Sequence, residues 1–313
     1  MGFFRRRSAA SAPQKVESQR DAVFEQLAAP DADWIRETAR RVLAENGVEA
    51  VLDADGATFT ASDGYRITLD NVVTTCARLP REEWLPYITA HYGSAARSAA
   101  LPKIDDLTAE QLRTQVRTRV LPTDSLEIGG IDLSGYARPV ADGLWAVLCV
   151  DFPETVSYVS SATAAAFPDL DGLFRSGQAN TDAEPIATVE HIDGGLVGVT
   201  GDSLFIGSKV LNMAALLART VDRDAPNGAV FVVPERSSVL FHVIDDLDAV
   251  TAIGTLATVG ASMYVESTYA VSPNVFHWYR DFITCIGGMN DDHSGVTIRP
   301  SVELTEILNR LAE

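Results

Sequence analysis

No stretch of this chain approaches the ~18 consecutive apolar residues that a membrane-spanning helix needs. An apolar secretory segment is missing as well, because Arg5, Arg6 and Arg7 stand where its core would begin. Arg6 also occupies the position at which a myristoylation motif wants Ser or Thr. Cysteine is scarce. Cys76, Cys149 and Cys285 lie far apart, each inside an apolar run, which argues against a disulfide framework or a zinc set. Buried, reduced thiols in a cytoplasmic protein are the expectation. Positive charge is short too: 25 Lys and Arg face 43 Asp and Glu, for a net charge of -18 and a pI near 4.6. Such a surface repels phosphate backbones, so no nucleic acid is expected on the folded body, and a basic protein partner is.

Catalytic signatures are absent in the same way. Gly194, Gly195, Gly198 and Gly201 lie between strands with no Gly-Lys-Ser/Thr after them, which reads as hairpin turns rather than a phosphate cradle. Gly260-Ala261-Ser262-Met263-Tyr264 lacks the second glycine of a nucleophile elbow and sits in a helical pattern. No cofactor is expected.

What is present has a definite order. Residues 1–20 carry +4, leaving -22 for the rest. Residues 1–14 read as a basic leader, and Phe3, Phe4, Arg5, Arg6 and Arg7 could touch an anionic membrane surface weakly. Residues 15–100 form a first unit of order α-α-β-β-β-α-α, with helices over 15–28 and from Asp31. Its strands are Glu49–Asp53, Thr58–Ala61 and Tyr65–Leu69, joined by Asp-Gly turns. A further helix opens near Asp70, and Pro86 interrupts the one after it. Residues 101–143, punctuated by Pro and Gly, read as a connecting segment. The second unit, 144–313, opens with the strand Leu144–Phe152. It continues through strands at Ile186–His191, Leu196–Thr200 and Ser203–Ile206 to a helix over 210–221. Its best-specified block, 229–279, has two strands, a small-residue helix and another strand. The expected fold is α+β: two units, each a mainly antiparallel sheet with helices packed on one face.

Four stretches carry a family likeness: Ile67–Val72 leading into a helix, the strand Leu144–Phe152, Gly201-Asp202-Ser203 before the Leu211–Leu217 helix, and Val230–Arg236 with Ser272–Phe276. In that order, over about residues 60–280, they resemble the YtpQ-like family of bacterial proteins of unknown function. The resemblance implies an α+β fold and a bacterial origin, and it brings no catalytic set with it.

Candidate residues follow from chemistry. Asp291, Asp292 and His293 offer oxygen and imidazole ligands on a loop, although adjacent loop residues diverge, and a solvated loop is the plainer reading. Asp245, Asp246 and Asp248 read as a helix N-terminus. On a strand, Phe276 and Trp278 face away from His277 and Tyr279, so one pair belongs to a core and the other to a core layer or a partner interface. Arg236 is either a surface anion contact or one half of a turn ion pair with Glu235 or Asp245. Two functions are expected from this set. One is a non-enzymatic accessory protein that binds a protein partner through its acidic α+β body. The other is a hydrolase with a site between the two units, built from Asp151, Arg236, His242 and His277; it requires at least three of these to line one pocket.

Overall fold

Two hydrophobic patterns segregate along the chain, and each builds its own unit, Met1–Ala96 and Arg97–Glu313. The computed structural model describes residues 19–62, 64–99, 104–153, 155–221, 224–290 and 295–313, with 94–99 given by backbone alone. The leader and the Asp291-Asp292-His293 run lie outside the described residues.

The first unit contains α1 (Ala29–Glu45), β1 (Ala50–Leu52), β2 (Thr58–Ala61), β3 (Arg66–Thr68), α2 (Asp70–Cys76) and α3 (Trp84–Ala99). The strands form one antiparallel sheet in the order β1-β2-β3. Its core joins Ile35, Ala39, Val42 and Leu43 of α1 to Phe59, Val72, Val73, Cys76, Ile88 and Tyr92. Pro86 does not break α3, because it falls in the first turn, where no backbone N–H has an intrahelical acceptor. The helix expected over 15–28 is absent from 19–28. There the Asp21 carboxylate accepts from the N–H groups of Val23 and Phe24, and Arg20 bridges Ala28. A short acidic side chain thus offers the backbone an alternative to a helical turn.

The second unit runs through α4 (Ala109–Gln115), β4 (Val116–Pro122), β5 (Glu127–Ile128), β6 (Ile131–Asp132), β7 (Arg138–Ala141), β8 (Leu144–Phe152), β9 (Thr155–Tyr158), α5 (Ser161–Ala165), α6 (Leu170–Ala183), β10 (Thr188–Ile192) and β11 (Leu196–Thr200). It continues with α7 (Met213–Thr220), β12 (Ala229–Val232), β13 (Ser238–Val243), α8 (Asp248–Glu266), β14 (Asn274–Tyr279), β15 (Phe282–Met289), β16 (Val296–Ile298) and α9 (Val302–Leu311). The stretch expected as a connection, 101–143, contains two strands that join the sheet of β8. β4 pairs with β8 from Val116↔Val150 to Pro122↔Leu144, and β7 pairs with β8 as well. Val116, Thr118 and Val120 are buried and the intervening Arg117 and Arg119 only partly so, a period-two alternation that is present in the sequence itself. The strand expected at Ser203–Ile206 is a turn followed by a 3-10 segment, Gly207–Asn212.

The larger sheet is antiparallel throughout, in the order β10-β11-β13-β12-β14-β15-β16. Helices α8 and α9 cover one face, with Ala252, Ile253, Leu256, Ala257, Leu304 and Ile307 packed on Val230, Val232, Leu240 and Val275. Gly260 permits that approach: a Cβ there would meet the Val232 side chain at 3.1 Å. The opposite face, with Phe231, Phe241 and Phe276, is covered as well, by Met213, Leu216 and Leu217 of α7 and by Val120 and Leu144 of the smaller sheet. The α+β class holds, and in the second unit the large sheet lies between two covering layers rather than under one.

Candidate functional site

The four groups of the hydrolase expectation stand apart. His242 and His277 flank Val230 on neighbouring strands of the large sheet, on the α8 face. His242 Nδ1 lies 3.0 Å from the Gly195 carbonyl; a carbonyl only accepts, so Nδ1 carries the proton. Its Nε2 is buried with no hydrogen-bond partner. His277 is buried, its Nε2 lies 3.4 Å from the Asn227 carbonyl, and burial pulls its pKa below the usual histidine value against the pull of Asn227 and Glu303. Asp151 belongs to the smaller sheet. Burial raises its pKa, Arg117 at 3.9 Å opposes, and Glu184, itself 2.7 Å from Arg117, adds to the rise. Arg236 lies at the β12–β13 turn. No hydrogen bond or ion pair joins any two of the four.

The aromatic run alternates as its spacing predicts, but neither pair is free for a partner. Phe276 and His277 are buried, while Trp278 and Tyr279 are half-buried against the cores on opposite faces of the sheet. The large exposed aromatic at this end is Phe282, 77% exposed. It follows the two-residue hairpin turn Arg280-Asp281, in which both residues have positive φ.

Two features were not legible in the sequence. The first is an arm. Residues 187–195 are exposed without interruption, and among the described residues β10 pairs only with β11, leaving its other edge open. Val189 and Ile192 are 36% and 41% exposed on it. The hairpin turn Asp193-Gly194-Gly195 joins β10 to β11, with both glycines at positive φ, and the Gly195 carbonyl is pinned by the ring of His242.

The second feature is a basic recess. The Gly207 N–H donates to the Arg236 carbonyl at 2.8 Å, and the next residue, Ser208, accepts from the Val120 N–H at 3.1 Å. These neighbouring anchors bring the β12–β13 turn alongside β4 and set Arg119 beside Arg236. The Arg119 guanidinium lies 5.3 Å from the Tyr158 ring, and that of Arg236 lies 3.2 Å from the Tyr269 ring. Neither arginine makes an ion pair with a carboxylate of the described residues. The expected pair with Glu235 does not form, because the serines Ser237 and Ser267 hold that carboxylate at 3.0 and 2.9 Å. Burial and the charge of Arg119 lower the pKa of Arg236, while Tyr269 and Tyr158 oppose the shift. Burial pushes Tyr158 up to about 12 and the fully buried Cys149 thiol up to about 12, in both cases against the pull of Arg119. The nearby cations are differently placed. Arg117 has its carboxylates, and the Lys209 Nζ donates to the carbonyls of Thr181, Asp182 and Glu184 at the end of α6, a C-terminal cap.

A groove of about 610 Å³ between α4 and α6, lined by Leu107, Leu112, Phe167 and Leu173, holds none of the four proposed catalytic groups. Among the described residues no cluster of three His, Cys, Asp or Glu side chains could hold a metal ion, and no helix is long and apolar enough to cross a membrane. Fold and sites together define an α+β protein with a three-layered C-terminal unit, an open sheet edge and a basic recess. Compared with known proteins, the chain matches no family model, no curated protein and no solved structure.

Proposed function

We propose that this is a non-enzymatic accessory protein that binds a protein partner, adding an extended segment of that partner to the free edge of β10. The arm from 187 to 195 carries this reading. A strand exposed along its whole length adds little to the core, and its open row of N–H and C=O groups is a template for another chain. Glu190 and Asp193 lie on the arm, and the chain carries -18 overall, so the complementary segment contains Lys or Arg. The free thiols of Cys76, Cys149 and Cys285 support a reducing, cytoplasmic setting. The resemblance to the YtpQ-like family, which brings no activity with it, is compatible with this reading. The hydrolase alternative draws no support from four groups held apart.

The test uses the backbone. The Gly201 N–H donates to the Ser237 carbonyl just before β13, so 199 and 197 share that direction while 200, 198 and 196 face β10. Glu190, opposite Gly198, turns its N–H to β11, and Val189 and His191 turn theirs outward. Full-length protein is used as bait in gentle purification at moderate salt, as wild type, His191→Pro, which removes an outward N–H, and Glu190→Lys. A stoichiometric partner with wild type, lost with both variants while their melting temperatures stay near wild type, is the expected result. Recovery of the lone protein, or a partner retained by both variants, overturns the proposal.

A further inference from the structure

Two guanidinium groups held together away from bulk water repel one another unless something negative stands between them. Among the described residues no carboxylate forms an ion pair with Arg119 or Arg236. The adjacent carboxylate, Glu235, is turned to two serines, and Asp151 is engaged by Arg117. The Nε of Arg119 is buried with no acceptor. The Arg119 fork, with this one donor enclosed and unmatched, suits a planar or tetrahedral oxyanion, which arginine meets through parallel N–H···O bonds. Each guanidinium lies within cation–π reach of a tyrosine ring, 5.3 Å from Tyr158 for Arg119 and 3.2 Å from Tyr269 for Arg236, contacts that carry no negative charge. Tyr269 is 37% exposed, so solvent reaches its contact with Arg236.

We propose that Arg119 and Arg236 are the paired donors of an oxyanion-binding site that takes a small free anion of the phosphate or carboxylate type. Tyr158 and Tyr269 position the two forks. The site is distinct from the β10 edge and does not depend on the strand-addition reading: it lies at the junction of β4 with the β12–β13 turn, and its ligand is a small anion rather than a protein segment.

Inorganic phosphate and malonate serve as probes, each titrated by calorimetry into full-length protein at constant ionic strength with chloride as the control. Constant ionic strength separates a bound anion from general screening of the acidic surface. Binding of either probe above the chloride control supports the site. Phosphate alone identifies a phosphate-type ligand, and malonate alone a carboxylate-type one. Arg236→Gln and Arg119→Gln are each expected to weaken binding at least about tenfold, equivalent to about 1.4 kcal/mol, with Arg236→Lys retaining part of it. A second readout separates a binding role from a structural one. Without added anion, Arg236→Gln melts no lower than wild type, because it removes a like-charge contact, while the rise in melting temperature produced by the probe disappears. Absence of binding by both probes, or binding unchanged in Arg236→Gln, overturns the proposal.

Discussion

Asp21 and Arg36 anchor the start of the first unit through one enclosed cluster. The Asp21 carboxylate takes two guanidinium bonds at 2.8 Å and two backbone N–H bonds, and the side chains are only 9% and 13% exposed. Arg36 and these N–H groups hold the Asp21 carboxyl well below the usual carboxylate range. A depressed folded-state pKa contributes stability above the unfolded value, about 3.9, which is lost as pH falls below it. Asp21→Ala is expected to cost about 3 kcal/mol at pH 7 by leaving Arg36 enclosed and unpaired. The difference from wild type shrinks toward pH 3, and denaturant melts at the two pH values check it. Lys209, with its carbonyl cap and a pKa lowered to about 8 by burial, makes the companion prediction. Lys209→Met strands three carbonyls and is expected to cost about 3 kcal/mol, read as a lower urea midpoint at unchanged slope. Neither role was visible in the sequence, because both depend on partners 15 or more residues away.

At the scale of elements, α8 shows what a small-residue helix does on each face. Gly260 meets Val232, whereas Gly254 faces open space with nothing within 4 Å. Gly254→Ala is expected to raise stability by about 1 kcal/mol through helix propensity. Gly260→Val is expected to lower it by about 2 kcal/mol by forcing α8 off the sheet, and thermal melts of the two variants distinguish the cases. Elements with strong local signals were legible in advance: the three short strands of the first unit with their Asp-Gly turns, the start of α2 at Asp70, the 193–195 hairpin, and the Ser301 cap, whose side chain accepts from the Leu304 N–H. β4 was missed although Val116, Arg117, Thr118, Arg119 and Val120 alternate at strand period; its place in the second unit depends on pairing with β8. The recess was half legible. Arg236 was read as a surface anion contact or one half of a turn ion pair, and Arg119, more than a hundred residues away in the chain, was not read at all.

For the molecule as a whole, each unit carries its own hydrophobic cluster, the first around Ile35, Phe59 and Val72 and the second on both faces of the large sheet. Residues 97–313 expressed alone are expected to melt in one cooperative transition and to keep dispersed methyl resonances. Loss of that transition would mean that the second unit needs the first. The imbalance of 43 acids against 25 bases predicts minimum solubility near pH 4.6, measurable by turbidity across a pH series.

Composition and local periodicity by themselves determined the acidity of the chain, its α+β class, its antiparallel strands and the positions of its tight turns, because these rest on charge, side-chain alternation and short-range backbone preference. Tertiary structure alone decided that β4 and β7 are built into the second unit, that the histidines serve separate strands, and that, among the described residues, β10 has one strand partner and Arg119 and Arg236 have no carboxylate partner. Each of these is a fact about which distant segments become neighbours, and strand pairing across long stretches of chain leaves no mark on either segment read singly.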